Sequence, residues 1–342
     1  MIVDAHLDLS YNVERGRDVR QPAASQPAIG DEIATVGLPD LVSGQVGLIC
    51  GVIFCLPAAS EDGGNAGRER TYRDSEEAHA QARRQIAWYR GREADETLPL
   101  VRSKADLPDP TQKVTTTRAI LLLEGADPIR HADDVAAFAR LGVRAVGLAW
   151  QRTRYAGGTR APGPLTAEGR AIVPVLDAAG MIHDASHLAE QSFFDLMDLA
   201  SGPVMASHSN CRAIVPTDRQ LSDEMIRRII ERNGVIGINF YEKFLLPPGE
   251  FGKRRATLAD VVVHIKHICD LAGSSQNVGI GTDMDGGLGR EQIPVEIRSS
   301  ADLPRLGDAL AIANFSDADI AGILQGNWMR FFNQALPKTS KV

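Results

Sequence analysis

Six side chains suited to acid–base or metal chemistry are spread along this sequence at long intervals: His6, Asp8, Glu124, His187, His208 and Asp283. His6 and Asp8 open the series in DAHLDL, two apart among apolar neighbours. On an extended chain, residues i and i+2 point to the same face, so an imidazole and a carboxylate converge there. The pair is half of a metal site or, equally, a carboxylate orienting a structural histidine. The remaining four residues bear on that choice. Glu124 closes AILLLE, His187 follows MIHDAS, His208 closes PVMASH and Asp283 closes VGIGTD, each at the end of a short apolar run. Three imidazoles supply neutral nitrogen ligands and three carboxylates supply anionic oxygens, one of them able to bridge. That is the donor set of a two-metal hydrolytic centre.

Residues so far apart meet only if a fold gathers them. Short Val/Ile/Ala/Gly-rich runs alternate here with helical patterns, as βα units around a buried parallel sheet do. Eight such runs are IVDA from residue 2, VGLICGVIF from 46, AILLLE from 119, AVGLAW from 145, MIHDAS from 181, PVMASH from 203, VIGINF from 235 and VGIGTD from 278. Between them lie SEEAHAQARRQIAWYRGR, DVAAFARLG, EGRAIVPVLDAAG, LSDEMIRRIIERNG and TLADVVVHIKHICDLAG, several opening at a capping residue and closing at Gly. The pattern predicts an α/β fold, a (β/α)8 TIM barrel enlarged by insertions beyond the usual ~250 residues, with 1–342 read as a single domain. The strand C-termini of such a barrel form the active-site mouth, where all six residues would converge. Residues 10–45 and 56–74 read as irregular excursions around the second strand. The C-terminal GNWMRFFNQAL reads as an amphipathic helix packed on the barrel or on a second subunit, so a homodimer is one expectation.

Composition narrows the partners. The 342 residues are 44% hydrophobic and 24% charged, as in a globular chain with a large core. A net charge of -7 and a pI near 5.7 give no general attraction to nucleic acid or to an anionic membrane. Met1 is followed by no basic and apolar leader, and the longest apolar run, VGLICGVIFCL, is too short to span a bilayer. The expectation is a cytoplasmic protein with neither nucleic-acid nor membrane partners. Cys50, Cys55, Cys211 and Cys269 include no CxxC pair and read as buried free thiols. His264 and His267 lack the HExxH pattern and read as solvent-facing or partly buried, while His79 and His131 have no partners in sequence. Strict alternation would point His183 the same way as His187, but a ligand so deep in the barrel would be awkward, and His183 carries no assignment. GGNAGRER and GGLGR lack GK[ST], so phosphate binding is not indicated.

The segments VDAHLDL, LLLEGAD, DASHL, ASHSNCRAI, NFY and GIGTDMDG, in that order and across nearly the whole chain, resemble those of the membrane (renal) dipeptidase family, metal-dependent peptidases of the amidohydrolase superfamily. The resemblance implies a zinc-dependent dipeptidase whose barrel holds two Zn2+ ions, His6 and Asp8 on one, His187 and His208 on the other, and Glu124 bridging. A hydroxide shared by the ions would be the nucleophile, and Asp283 the catalytic residue that passes the proton to the leaving amine. Arg219, in VPTDRQLSDE, matches the arginine that holds the substrate's terminal carboxylate, and Tyr241 in NFY falls among the substrate-binding positions. The implied substrate is a small dipeptide, including those with a C-terminal D-residue. Asp285 and Gly286 complete the TDMDG turn in a structural role.

One position departs from the family pattern. After GVRAV, where mammalian members carry a histidine that contacts the substrate carbonyl, GLAWQRTRYAGG places Trp150. An indole donates one hydrogen bond and carries neither a proton nor a positive charge, so Trp150 reads either as an oxyanion donor or as pocket wall. Two rival functions follow. The first is a metal-dependent enzyme of the same fold acting on another small amide, lactone or biosynthetic intermediate. The second is a non-catalytic binding protein on an enzyme fold.

Overall fold

A computed structural model describes residues 1–58 and 71–339. Eight parallel strands form its centre: β1 (Ile2–Leu7), β2 (Val46–Phe54), β3 (Arg118–Glu124), β4 (Val143–Gly147), β5 (Ile182–Asp184), β6 (Val204–Met205), β7 (Ile236–Ile238) and β8 (Val278–Ile280). Their hydrogen-bonded order is β6-β5-β4-β3-β2-β1-β8-β7, and a parallel bridge between Ala206 and Ile236 joins the two ends. The result is the (β/α)8 barrel that the alternating pattern predicts.

Continuous apolar runs arise because both faces of each strand are covered. Leu48, Cys50, Val52 and Phe54 of β2 share an inner cluster with Ile120 and Leu122 of β3, whereas Ile49, Ile53, Leu121 and Leu123 belong to the outer cluster under the helices. Helix starts follow local chemistry. Asp74, Thr166 and Ser222 each accept a hydrogen bond from a first-turn amide, of Glu77, Gly169 and Met225 respectively. The helices Ala132–Leu141 and Leu258–Ala272 end on Gly142 and Gly273 at φ +108° and +65°, a left-handed conformation that glycine adopts without strain.

The excursion after β1 is more ordered than its sequence suggests. It contains helices Leu9–Glu14 and Leu38–Ser43, and its remainder is tied to the far end of the chain by one buried carboxylate. Asp285 accepts from Thr35 N (2.9 Å), Thr35 Oγ1 (2.7 Å) and Val36 N (3.0 Å), and Arg17 lies 3.1 Å away. This is the structural role expected of Asp285. Of the second excursion, 56–74, residues 59–70 lie outside the described part, and GGNAGRER with them. All four cysteines are free thiols, Cys269 only partly buried. No helix among the described residues is long and apolar enough to cross a membrane.

The helix Asn327–Ala335 packs against the barrel. Trp328, Phe331 and Phe332 join the inner cluster with Val3, Ala5 and Leu48, and the Trp328 indole N–H donates to the Ile280 carbonyl at 3.0 Å. Gly279 leaves the space that the indole occupies. Trp328→Ala would open a cavity and strand that carbonyl, so a loss of about 3–5 kcal/mol is expected in urea denaturation. A loss below ~1 kcal/mol would show that the helix unfolds separately from the barrel.

Candidate metal centre

The strands stop short of the chemistry. β5 ends at Asp184, β6 at Met205 and β8 at Ile280, while His187, His208 and Asp283 each lie three residues further on. Beyond those ends side-chain carboxylates accept amides alongside a few remaining backbone bonds, such as Ala185 N–H to the Met205 carbonyl (2.7 Å) and Asp283 N–H to the His6 carbonyl (3.2 Å). Asp184 Oδ1 accepts the amides of Ser186 (3.1 Å) and Ser207 (2.8 Å), and Asp4 Oδ1 accepts those of Thr282 (2.8 Å) and His6 (3.3 Å). His187 and Asp283 adopt left-handed backbone, φ +66° and +59°. For residues other than glycine this conformation carries a cost of order 1–3 kcal/mol, held in place by the surroundings. Gly286 fits beside Asp283 because a Cβ there would collide with Asp283 Oδ1.

His6 and Asp8 converge by a different route from the extended pair that their spacing suggests. β1 ends at Leu7, and Asp8 stands at the start of helix Leu9–Glu14. Within β1 the register against β2 shifts between Asp4 and Leu7, which pair with Ile49 and Gly51. That extra residue re-aims His6, as bulges do, and brings its Nε2 to 3.6 Å from Asp8 Oδ2.

Glu124, the last residue of β3, occupies the centre. Its Oε2 lies 3.7 Å from His6 Nε2, and its Oε1 lies 3.3 Å from His187 Nε2 and 3.4 Å from His208 Nε2. The latter two nitrogens are 3.0 Å apart. Asp283 Oδ1 is 4.0 Å from His6 Nε2, and its Oδ2 accepts from Asn239 Nδ2 at 2.9 Å. Three overlapping groups, His6–Asp8–Glu124, Glu124–His187–His208 and His6–His208–Asp283, have donor atoms within 4.8 Å of one another and can hold metal ions. The fit rests on unspent lone pairs. His6 Nε2 and Asp8 Oδ1 are buried without a hydrogen-bond partner, an arrangement that a cation would satisfy.

The electrostatics agree with that donor set. Burial disfavours a charged His6, but the Glu124 and Asp8 carboxylates outweigh it and raise its pKa well above the ordinary value. Burial, reinforced by nearby Arg219 and His6, keeps His187 and His208 well below theirs, so both rings are neutral, as ligands must be. Burial also raises Glu124, against the pull of His6, and lifts Asp283 to about 7, where the charges of Asp8 and Glu124 add to it.

The other residues singled out by sequence surround this cluster. Arg219 is buried, with Nη1 donating to Ser209 Oγ (3.1 Å), Nη2 donating to the His208 carbonyl (2.6 Å) and Nε lacking a partner. Its guanidinium lies over the Phe244 ring, whose centroid is 4.9 Å from that of Tyr241. Trp150 lies beyond the end of β4, its ring 5.2 Å from that of Phe54 and 6.2 Å from that of His187. Asn239, Ser207, Asp184, Asp4 and Thr159 went unassigned in sequence. All but Thr159 sit inside the quoted motifs, where nothing local separates an acid spent on backbone amides from one that faces ring nitrogens.

Three histidines differ from, or complete, the sequence reading. His183 points away from the barrel interior and pairs with Asp177 at 2.7 Å, because inward-facing Ile182 flanks it and His187 is not on the strand at all. His264 is fully buried rather than solvent-facing or partly buried, accepting from the Cys211 amide (3.1 Å) and lying 3.1 Å from the Leu245 carbonyl. His267 is half-buried beside Asp223 at 2.8 Å.

A (β/α)8 barrel with a buried imidazole–carboxylate cluster at its strand ends defines a class of candidate metalloproteins. Within it, the family model of membrane dipeptidase, peptidase family M19, matches residues 1–341, and the chain belongs to that family. A metallo peptidase from Rhodobacter sphaeroides, solved with a phosphinate mimic of the dipeptide L-Ala-D-Ala, has a TM-score of 0.81 at 25% identity, covering 98% of this chain and 99% of that one. Dipeptidase tcpJ of Claviceps purpurea is 27% identical over 295 residues, 83% of this chain and 65% of its own length. An uncharacterized protein in the pqqA 5' region of Klebsiella pneumoniae is 32% identical over 206 residues, 58% of this chain and 74% of its own. Other curated relatives are matched over 38% to 51% of their lengths.

The central carboxylate makes the first test. Glu124→Gln keeps the shape and removes the negative charge between the two donor groups, so the zinc-loaded, dialysed variant should retain at least one ion fewer per chain than the parent. Elemental analysis decides it. Equal metal content in variant and parent would show that Glu124 is not shared between two ions.

Proposed function

We propose that this protein is a binuclear zinc dipeptidase that hydrolyses small dipeptides, those with a C-terminal D-residue included. The observation that carries the reading is Glu124, whose two oxygens face two separate sets of buried donors. In this reading His6 and Asp8 hold one ion, His187 and His208 the other, and Glu124 both. Three imidazoles suit zinc better than magnesium or calcium, which take oxygen ligands. When bound, two such ions supply Lewis acidity for the scissile carbonyl and ionise water near neutral pH.

The chain's own groups do the rest. Asp283, held by Asn239 through Oδ2, turns Oδ1 toward the cluster and carries the proton from the attacking water to the leaving amine. Arg219 keeps an unspent Nε–H in a buried setting, which suits it to the substrate's terminal carboxylate. Phe244 and Tyr241 wall that end of the cleft. Trp150 stands near His187, and its indole N–H has no hydrogen bond to a described residue, which leaves it available to the carbonyl oxygen as negative charge develops there. Support for the C-terminal D-residue comes from the Rhodobacter peptidase, whose bound ligand mimics such a dipeptide.

The test is a matrix of L,L and L,D dipeptides and their C-terminal amides, assayed with protein shown to carry two zinc ions. Free dipeptides should be hydrolysed. Amides should have a kcat/KM roughly 10- to 100-fold lower, the loss expected for a charge-assisted hydrogen bond of about 1.5–3 kcal/mol. Failure to cleave any dipeptide would overturn the assignment and move attention to other small amides or lactones. Equal kcat/KM for a dipeptide and its amide would remove Arg219 from the carboxylate site.

Trp150 has its own expectation. Trp150→Phe keeps an aromatic wall without the N–H, and should lower kcat on the order of 100- to 1000-fold at unchanged zinc content, with partial recovery in Trp150→His. An unchanged kcat would assign the indole to the wall of the pocket.

A further inference from the structure

We propose that the Ser207 hydroxyl, backed by Asp184, is a positioning group that fixes the tautomer of one histidine from each half of the centre at once, coupling the loading of the two ions. The inference rests on the metal-centre reading above. Ser207 Oγ is fully buried and has three near neighbours: Asp184 Oδ2 at 2.5 Å, His208 Nδ1 at 2.8 Å and His6 Nδ1 at 3.1 Å. Ser186 Oγ, at 3.5 Å, is more distant and accepts instead from the His208 amide at 3.0 Å.

A hydroxyl has one proton to give and two lone pairs to offer. The other Asp184 oxygen already accepts the amides of Ser186 and Ser207, which hold the carboxylate in place. As an acceptor only, Asp184 takes the Ser207 proton. Both lone pairs of Ser207 Oγ then face imidazoles, and each ring must donate through Nδ1–H. The neutral His208 is thereby left with Nε2 free of a proton and aimed at the Glu124 carboxylate, 3.4 Å away, whereas His6, 3.7 Å from Glu124, keeps its Nδ1–H and has only its Nε2 proton to give up when an ion binds.

The competing arrangement is close at hand. An imidazole carrying its proton on Nε2 would donate to Glu124 or Asp8 and would have no lone pair for an ion. One hydroxyl opposes that outcome on two rings, whose centroids lie only 3.5 Å apart. Gly237 and Gly281 let the Ser207 backbone approach closely, because a Cβ at either would collide with the Ser207 carbonyl. His187 is the internal comparison. Its Nδ1 faces Thr159 Oγ1 at 2.9 Å, outside this arrangement.

Two variants separate the role from simple packing. Asp184→Asn keeps the shape and the two accepted amides, but its Nδ2 would donate to Ser207 Oγ and turn the hydroxyl proton toward an imidazole. Ser207→Ala removes the hydroxyl. In metal-free protein with 15N-labelled histidine, long-range 1H–15N spectra should show His208 as the Nδ1–H tautomer in the parent and shifted toward Nε2–H in both variants, with His187 unchanged. In chelator competition, Ser207→Ala should weaken both zinc ions by about 10- to 100-fold, the usual effect of losing such a partner, whereas Thr159→Val should weaken only one. The proposal is overturned if both variants keep His208 as Nδ1–H, or if Ser207→Ala loses affinity at one ion alone. A parent that binds no zinc would sink the functional reading instead, and the tautomer measured without metal would still decide the role of Ser207.

Discussion

Three carboxylates and three imidazoles share one largely buried volume at the mouth of this barrel, where burial and crowded like charges oppose full ionisation of the acids. In a low-dielectric site, neighbouring carboxylates cannot all stay ionised without a positive charge among them. The strain shows in Glu124 and Asp283, both pushed upward by burial, and in His6, drawn upward by the acids around it. The neutral His187 and His208 complete the asymmetry. Divalent cations would relieve the conflict, because they supply charge where the carboxylates crowd and accept the lone pairs that the protein leaves unspent.

Holding such a cluster requires a scaffold that does not relax around it. The six residues come from five strand ends, His6 and Asp8 sharing one, so no single loop movement can disperse the cluster. Buried carboxylates that contact no candidate ion do much of this anchoring. Asp4 ties the end of β1 to Thr282, Asp184 ties the end of β5 to Ser207, and Asp285 ties the excursion after β1 to the loop that carries Asp283. Their oxygens are spent on backbone amides and hydroxyls, whereas those of Asp8 and Glu124 point at ring nitrogens. The chemistry of a buried acid therefore follows from its neighbours, not from its type.

The outer rim is built apart from the cluster. Trp150, Arg219, Phe244 and Tyr241 all lie on connections beyond the strands, which can change without disturbing the cluster beneath. The Trp150 indole stands 6.2 Å from the His187 ring and leaves every donor around Glu124 in position.

Sequence alone carried the architecture and singled out six ionisable residues that the fold brings together. Period and apolar content marked all eight strands, since burial on both faces demands unbroken apolar runs, and ionisable residues ending such runs are conspicuous for the same reason. His6, Asp8, Glu124, His187, His208 and Asp283 were legible on those grounds. Their conformations were not. Strand ends fell up to three residues earlier than the apolar runs suggest, because Asp4 and Asp184 compete with the ladder for backbone amides, and that competition depends on partners as remote as Thr282 and Ser207. The outward turn of His183, the complete burial of His264 and the order of the excursion after β1 were likewise decided by tertiary contacts. Local pattern fixes which residues are apolar or ionisable and with what period. Only the closed barrel decides which lone pairs meet a proton, which meet a backbone amide, and which are left for a metal ion.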